Sequence, residues 1–192
     1  MCRLGCASEK INGGNVKVYL MTDGEWELFE DPNMDEFLKR DIIIGECASI
    51  GECASIGESA IIGESAIIGE CASIGECASI GESAIIGECA SIGESAIIGE
   101  FASIGESASI GESARIGDNF DIILVGPMGS RKAMLTAYKH KEKIMIGTGC
   151  FLDTIDKFSE DVEKVHGESL HGKDYRAAIA YIKARFEAVK EK

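Results

Sequence analysis

A chain of 192 residues with a formal net charge of −14 suits one ordinary domain or one elongated repeat with small ends. The charge is unevenly spread, because residues 1–43 carry 5 basic and 9 acidic side chains, residues 44–121 carry 1 and 14, and residues 122–192 carry 13 and 10. The acidic centre excludes direct binding of nucleic acid or of an anionic membrane by residues 44–121, since either needs a positive surface.

Residues 1–43 are predicted to form an N-terminal cap. The amino terminus lacks the apolar core of a secretory signal, so we expect a cytoplasmic protein. Its eight cysteines are then expected to be reduced thiols. Residues 16–29 alternate around a "TDG" turn and predict a β-hairpin. Asp31 at a capping position and Pro32 at the first turn then predict a short helix through Met34, Phe37 and Leu38.

Residues 44–121 repeat one six-residue phrase without a slip. An alanine two residues before nearly every isoleucine gives the period-2 spacing of a strand, and Gly-Glu after it predicts a corner. Glycine is expected there for a backbone conformation that other residues adopt reluctantly. Short strands joined by corners predict a parallel β-solenoid with a stack of buried isoleucines. The repeated isoleucines are Ile44, Ile50, Ile56, Ile62, Ile68, Ile74, Ile80, Ile86, Ile92, Ile98, Ile104, Ile110 and Ile116.

The phrases "IGECAS", "IGESAI" and "IGESAR" resemble the hexapeptide repeat of left-handed parallel β-helices. The resemblance implies that three hexapeptides form one triangular coil, so residues 44–121 would make about four coils. Many proteins of that family are trimeric acyltransferases and some are carbonic anhydrases, in which histidines on the coils act as a base or bind a metal. Residues 44–121 contain no histidine and no inserted loop. We therefore predict a non-enzyme with no metal site and no cofactor.

The outward positions of the coils supply the candidate interaction surface. Exposed isoleucines on a flat face indicate either a self-association surface or an unremarkable apolar face. The corner glutamates form like-charge ladders, which favour solubility or, alternatively, mimicry of a polyanion. A column of Cys53, Cys71 and Cys89 is interpreted as small residues that stack as serine does, with redox or metal chemistry as the alternative. The candidate surface residues are Ile61, Ile67, Ile85, Ile97, Phe101, Glu58, Glu76 and Glu94.

Residues 122–192 are predicted to form a C-terminal α+β cap. Strands would be followed by a helix from about Asp153, with Val165 on its apolar face, and by a second helix over about residues 173–190. The turn "GPMGSRK" fails the Walker pattern but predicts an anion-binding loop, with an ordinary hairpin tip as the alternative. Lys139, His140, Lys141 and Lys143 would join it in one basic cluster. The candidate ligand-binding residues are Gly126, Gly129, Ser130, Arg131 and Lys132.

The segments "GPMGSR", "IGTGCF", "DTIDKF" and "YRAAIAYIK" resemble the endings of short repeat proteins from phages and prophages of Gram-positive bacteria. The sequence as a whole predicts a mainly β protein, a left-handed parallel β-helix with two caps that assembles as a homo-oligomer (trimer or dimer). Its predicted function is non-catalytic binding that sequesters or blocks a host protein or a small anionic ligand, as an anti-defence inhibitor or polyanion mimic. A structural self-assembling module and a degenerate acyltransferase are the alternatives.

Overall fold

The structure of the protein, a computed structural model, describes residues 17–22, 25–30, 32–129 and 132–189. It begins with an antiparallel hairpin of β1 (Lys17–Thr22) and β2 (Glu25–Glu30), which is followed by a short helix, α1 (Met34–Leu38). The hairpin and helix are found where the sequence predicts them. The cap of α1 is Asn33, whose side chain accepts a hydrogen bond from Glu36 N–H. Pro32 thus precedes the helix, and Asp31, the predicted cap, lies outside the described residues.

Residues 43–116 of the described chain form thirteen short strands that wind into about four coils. The strands are β3 (Ile43–Ile44), β4 (Ser49–Ile50), β5 (Ala54–Ile56), β6 (Ile61–Ile62), β7 (Ile67–Ile68), β8 (Ser73–Ile74), β9 (Ser79–Ile80), β10 (Ile85–Ile86), β11 (Ser91–Ile92), β12 (Ile97–Ile98), β13 (Ser103–Ile104), β14 (Ser109–Ile110) and β15 (Arg115–Ile116). Every pairing between coils is parallel and joins residues eighteen apart, as Ile62 with Ile80. Three hexapeptides therefore complete one coil.

The coils stack into three parallel sheets around one apolar core. The repeated alanines and isoleucines point inward and are almost completely buried, as for Ala78 and Ile80. Backbone bonds also join the corners of successive coils, as Ser65 N–H to the Glu46 carbonyl at 2.9 Å. The predicted class, a mainly β solenoid of about four coils, is confirmed. Its left-handed sense stays an implication of the family resemblance.

The glycine of each corner is required by the close approach of two coils. A Cβ on Gly63 would lie 2.6 Å from the Glu82 nitrogen and from the Gly81 carbonyl carbon in the next coil. The left-handed conformation belongs instead to the third residue of the corner, as Ser83 at φ 55° and Cys89 at φ 55°. The predicted reason for glycine was therefore wrong, because glycine here makes room and serine or cysteine carries the unusual φ.

The first coil is covered by the N-terminal elements. Strand β1 adds to the sheet of β5 in parallel, with Val18 opposite Ala54, and Cys53 N–H donates to the Lys17 carbonyl. Phe37 is fully buried beneath the coils. The Arg40 guanidinium donates to Thr22 Oγ1 at 2.8 Å and lies over the ring of Phe29. The hairpin thus continues one sheet while the helix closes the end of the core.

The C-terminal elements form a four-stranded antiparallel sheet with two helices against it. The strands are β16 (Ile122–Met128), β17 (Ala133–His140), β18 (Lys143–Thr148) and β19 (Phe151–Thr154), and the helices are α2 (Ile155–Val165) and α3 (Leu170–Val189). Thr154 caps α2, and Gly167 follows its end at φ 44°. Val165 is 71% exposed, so its predicted place on the apolar face of α2 is wrong. It lies in the last turn of the helix, past the buried Phe158 and Val162.

The last coil is closed by side chains that accept hydrogen bonds from backbone N–H groups with no further coil to pair with. Tyr138 Oη accepts from Gly111 N–H at 2.8 Å, and Thr136 Oγ1 accepts from Ser109 N–H at 3.3 Å. Asn119 Oδ1 and Asp121 Oδ2 accept from the N–H groups of two further coil residues, Ser103 and Gly117. Side-chain oxygens therefore replace the carbonyls that another coil would supply.

Candidate functional site

The three outer faces of the solenoid differ in what they expose. The serine face is the outward side of β5, β8, β11 and β14, where Ser55, Ser73, Ser91 and Ser109 are paired in one column. The first isoleucine face comprises β3, β6, β9, β12 and β15, and the second comprises β4, β7, β10 and β13. The apolar outward side chains of residues 43–116 are thus confined to two of the three faces and the corner between them.

On the first isoleucine face the exposed residues form an interrupted column. Ile61 pairs with Ile43 in one neighbouring coil and with Ser79 in the other, and Ser79 separates Ile61 from Ile97. Ile43, Ile61 and Ile97 are 54%, 43% and 39% exposed, with Arg115 ending the column. Ile61 and Ile97 are therefore outward, as predicted, without being direct neighbours.

The second isoleucine face has a continuous apolar centre. Ile67 and Ile85 are directly paired in successive coils, and Ser49 and Ser103 flank them in the same column. Both isoleucines are nearly half exposed. The two faces meet at a corner whose third residues include Phe101, which is 66% exposed. We call Ile61, Ile67, Ile85, Ile97 and Phe101 together the apolar ridge.

Glutamate columns run along all three corners, and the column of Glu64, Glu82 and Glu100 lies at the corner inside the ridge, next to Phe101. Glu58, Glu76 and Glu94 lie at the corner between the serine face and the first isoleucine face, and Glu94 is exposed. Successive coils place such carboxylates ~4.8 Å apart along the axis. Like charges at this spacing repel by about 1 kcal/mol per pair in water, and salt weakens the repulsion. The corner columns therefore favour a positively charged neighbour.

The cysteine column lies at the corner between the second isoleucine face and the serine face. Cys71 stands between Cys53 and Cys89 at an exposed corner, and partial desolvation by its neighbours raises the pKa of the Cys71 thiol above its ordinary value. The neighbouring thiols and the carboxylate of Glu70 raise this pKa further. Because the thiolate is the nucleophile, a raised pKa makes Cys71 less reactive at neutral pH. Among the described residues, no group of three or more histidine, cysteine or acidic side chains is arranged to hold a metal ion.

The predicted anion loop is partly filled by the protein itself. A Cβ at Gly129 would overlap the hydroxyl of Tyr175 from α3, so this glycine makes room for a side chain. Gly126, at φ 141°, precedes Pro127 through a cis peptide bond. Lys132 lines a groove of about 680 Å³ between the sheet and the last coil, where Glu106 also lies. Ser130 and Arg131 of the predicted loop lie outside the described residues.

The basic residues predicted as one cluster lie at opposite ends of β17. Lys132 precedes the strand, whereas Lys141 and Lys143 lie at and beyond its far end, around the turn to β18. Seven residues of extended chain separate Lys132 from Lys139 by roughly 24 Å. The prediction of one cluster was wrong, because a continuous strand joins the two groups instead of a compact loop.

Comparison with known proteins leaves the family of this chain unassigned. No protein-family model and no curated protein matches the sequence. Among the solved structures, a Bacillus cereus protein named as a "putative acetyltransferase" matches with 15% identity and a TM-score of 0.28, over 75% of this chain and 82% of its own. A likeness at this level transfers neither activity nor assembly to the present chain. In the described residues, no helix is long and apolar enough to cross a membrane.

Proposed function

We propose that this protein is a non-catalytic binding protein whose solenoid docks a partner protein on the apolar ridge. The proposal rests on exposed isoleucines that occupy two adjoining faces and on Phe101 at the corner between them, with glutamate columns along that corner and along both outer edges. Apolar side chains at the centre of a contact contribute most of its free energy, whereas a charged border selects the partner. The partner that fits is a protein with an apolar surface that carries lysine or arginine at its rim and opposite the central corner of the ridge.

The charges favour a different protein over a second copy as the occupant. Residues 44–121 carry one basic and fourteen acidic side chains, so two solenoids that approach side by side repel each other. A basic rim on the partner would relieve the repulsion within each glutamate column as well. Full burial of an isoleucine contributes roughly 1.5–3 kcal/mol, and less for these half-exposed residues, so several must act together.

We further propose that the protein is encoded by a phage or prophage and that it sequesters or blocks a host component in the host cytoplasm. The resemblance of its C-terminal segments to phage repeat proteins motivates this part. No disulfide joins the described cysteines, five of which lie in the coils, and this suits a reducing compartment. Anti-defence inhibition and polyanion mimicry are the two forms that an acidic docking surface suggests.

Self-assembly into a trimer or dimer is the second candidate, favoured by the direct pairing of Ile67 with Ile85. Two such pairs facing each other would form a small apolar contact. The degenerate acyltransferase has less support, because residues 44–121 contain no histidine and their exposed carboxylates are weak bases.

The test compares the native protein with the double variant Ile67→Ser/Ile85→Ser. The substitutions copy Ser49 and Ser103 of the same column, so the coils are expected to fold unchanged. Native mass spectrometry of both proteins reports self-association. Capture from host lysate at 0.1 M and 0.5 M NaCl then reports a partner whose binding depends on both the ridge and the charge.

We expect a partner that the native protein retains at low salt, that high salt weakens, and that the double variant loses. The control Ser73→Ala/Ser91→Ala changes the serine face and should capture the same partner. Equal capture by native protein and double variant would refute docking on the ridge. A native oligomer that the double variant converts to monomers, with no salt-dependent partner, would replace the proposal with self-assembly.

A further inference from the structure

A second candidate site lies at the far end of the C-terminal sheet, away from the solenoid. A cavity of about 600 Å³ opens between the turn that joins β17 and β18, the start of α2 and the end of α3. Its size falls in the range of pockets that hold small molecules. The residues that line it and are used below are Lys139, Lys141, Glu142, Lys143, Ile144, Ile155, Asp156, Lys183, Phe186 and Glu187.

Four lysines surround this cavity, and they come from β17 (Lys139), the turn after it (Lys141), the start of β18 (Lys143) and α3 (Lys183). The ammonium of Lys183 is paired with Asp156 at 3.1 Å, so these two charges cancel. Lys139 is half-buried, and its nitrogen lies 5.4 Å from the centre of the Phe186 ring. The ring positions the Lys139 ammonium but leaves its positive charge uncompensated. Lys141 and Lys143 are exposed on either side of the turn.

Two carboxylates moderate the positive charge. Glu142 is exposed at the tip of the turn and Glu187 is exposed near the end of α3, so both can turn toward solvent when a ligand enters. With Lys183 and Asp156 cancelled, three lysines face these two glutamates. A single carboxylate ligand would find little net attraction there, whereas a dianion can engage several ammonium groups at once.

The inner wall of the cavity is apolar. Phe186 is 1% exposed and Ile155 is 5% exposed, and Ile144 lies on β18 between them and the turn. A pocket with an apolar wall and ammonium groups at one side suits a ligand that has an apolar body and an anionic end. A phosphomonoester carries between one and two negative charges at neutral pH, on the order of −1.5 to −2.

We propose that this cavity binds a phosphomonoester of an aromatic or other apolar alcohol. Lys139 holds the phosphate on the helix side of the sheet, Lys141 and Lys143 reach it from the rim at the end of the hairpin, and the apolar wall of Ile144, Ile155 and Phe186 contacts the organic group. This site goes beyond the proposed docking function, because none of its residues belongs to the apolar ridge. Either proposal can therefore fail without the other.

The experiment titrates the full-length protein with phenyl phosphate by calorimetry in low-salt buffer, alongside inorganic phosphate and phenol. Phenyl phosphate should bind at least tenfold more tightly than inorganic phosphate, since only it reaches the apolar wall, and phenol should bind more weakly still. Lys139→Gln and Lys143→Gln should each weaken phenyl phosphate binding about tenfold, since a hydrogen bond to a charged group contributes ~1.5–3 kcal/mol. Lys143 is exposed, so its variant keeps the test informative if Lys139→Gln unfolds.

Two further variants sharpen the test. Lys132→Gln removes a lysine at the opposite end of β17 and should leave phenyl phosphate binding unchanged. Glu187→Gln removes a competing carboxylate and should tighten it. The proposal is overturned if phenyl phosphate does not bind at millimolar concentration, if it binds no more tightly than inorganic phosphate, or if Lys132→Gln weakens it as much as Lys143→Gln.

Discussion

The solenoid and the C-terminal sheet are built on different principles, although they share an interface. In the solenoid, one set of contacts recurs every eighteen residues, so each coil offers its neighbour the same carbonyls, N–H groups and isoleucines. In the C-terminal part, each contact occurs once. Ile146, Phe158, Ile182 and Phe186 belong to a second apolar cluster that has no counterpart in the coils.

The interface between these two regions shows what the difference means. A coil inside the stack is satisfied by another coil, but the last coil must be satisfied by unique groups such as Tyr138 and Asn119. The stability of the repeat therefore tolerates changes at outward positions but requires uniform spacing between coils along the axis. The stability of the C-terminal cap depends instead on single side chains. Substitutions in matched positions can test this contrast.

The largest effect is expected from Gly81→Ala, inside the stack. The added Cβ would lie 2.5 Å from the Glu100 nitrogen and from the Gly99 carbonyl carbon, so two coils must move apart. We expect a loss of roughly 3 kcal/mol or more in the free energy of unfolding, at or above the upper end of ordinary overpacking. Urea unfolding followed by circular dichroism measures it.

Gly117→Ala is the matched control for that change. Gly117 occupies the same position of the hexapeptide in the last copy, where a Cβ would meet only the Asp121 carboxylate oxygen at 3.0 Å. That side chain can shift, so the loss should be about 1 kcal/mol or less. Equal losses at Gly81 and Gly117 would contradict the view that coil spacing, and not the corner conformation, requires glycine.

Tyr138→Phe should produce the next largest effect, in the cap. It leaves the Gly111 N–H buried without an acceptor, which costs about 1–3 kcal/mol. Burial also raises the pKa of the Tyr138 phenol above its ordinary value of 10, although the bond from Gly111 acts in the opposite direction. The native state thus favours the protonated phenol.

The sign of the pH dependence follows from that shift. The contribution of Tyr138 is complete below pH 10 and is lost as pH rises through the higher pKa of the folded state. Thermal unfolding between pH 8 and 11 should therefore show an alkaline loss of stability that the Tyr138→Phe variant lacks in part. Tyr181→Phe, at an exposed position on α3, is the control and should keep the native profile.

The solenoid could be predicted from the sequence because periodicity reports the inward residues directly. Isoleucine every six residues with alanine two before it fixes the strand positions, and every one of these strands is found. The reason for glycine was missed, because a sequence shows that glycine is required but not whether φ or space requires it. Only the coil stacking reveals that a Cβ on Gly63 would meet the next coil.

The C-terminal sites were less predictable because their residues meet only through tertiary packing. Thr136 and Tyr138 are two positions apart on β17 and therefore share one face of the strand. This spacing is the one local sign that both side chains reach the last coil. The cavity around Lys139 joins residues of β17 and α3 that are more than forty positions apart, as Lys139 and Lys183. The functional roles of the apolar ridge and of the loop at Gly126 stay predictions.

A smaller effect is expected from Ser83→Asn, which tests the corner conformation. Ser83 has φ 55°, a left-handed region that asparagine occupies more readily than other residues with a Cβ. We expect a gain of a few tenths to about 1 kcal/mol in the free energy of unfolding. Ser79→Asn, at an outward strand position in the adjoining sheet, is the control and should lose stability slightly.

The smallest effect concerns the thiols and leaves the fold unchanged. Because partial desolvation and the neighbouring thiols raise the pKa of Cys71, its thiolate fraction at pH 7.5 is reduced. Iodoacetamide should therefore alkylate Cys71 more slowly than a free cysteine in a short peptide, as peptide mass spectrometry resolves. Replacing Cys53 and Cys89 with serine, which occupies the equivalent corner position at Ser107, should speed the reaction at Cys71. Unchanged alkylation in that variant would show that the column does not couple its thiols, and the cysteines would then be no more than small residues that fit the corner.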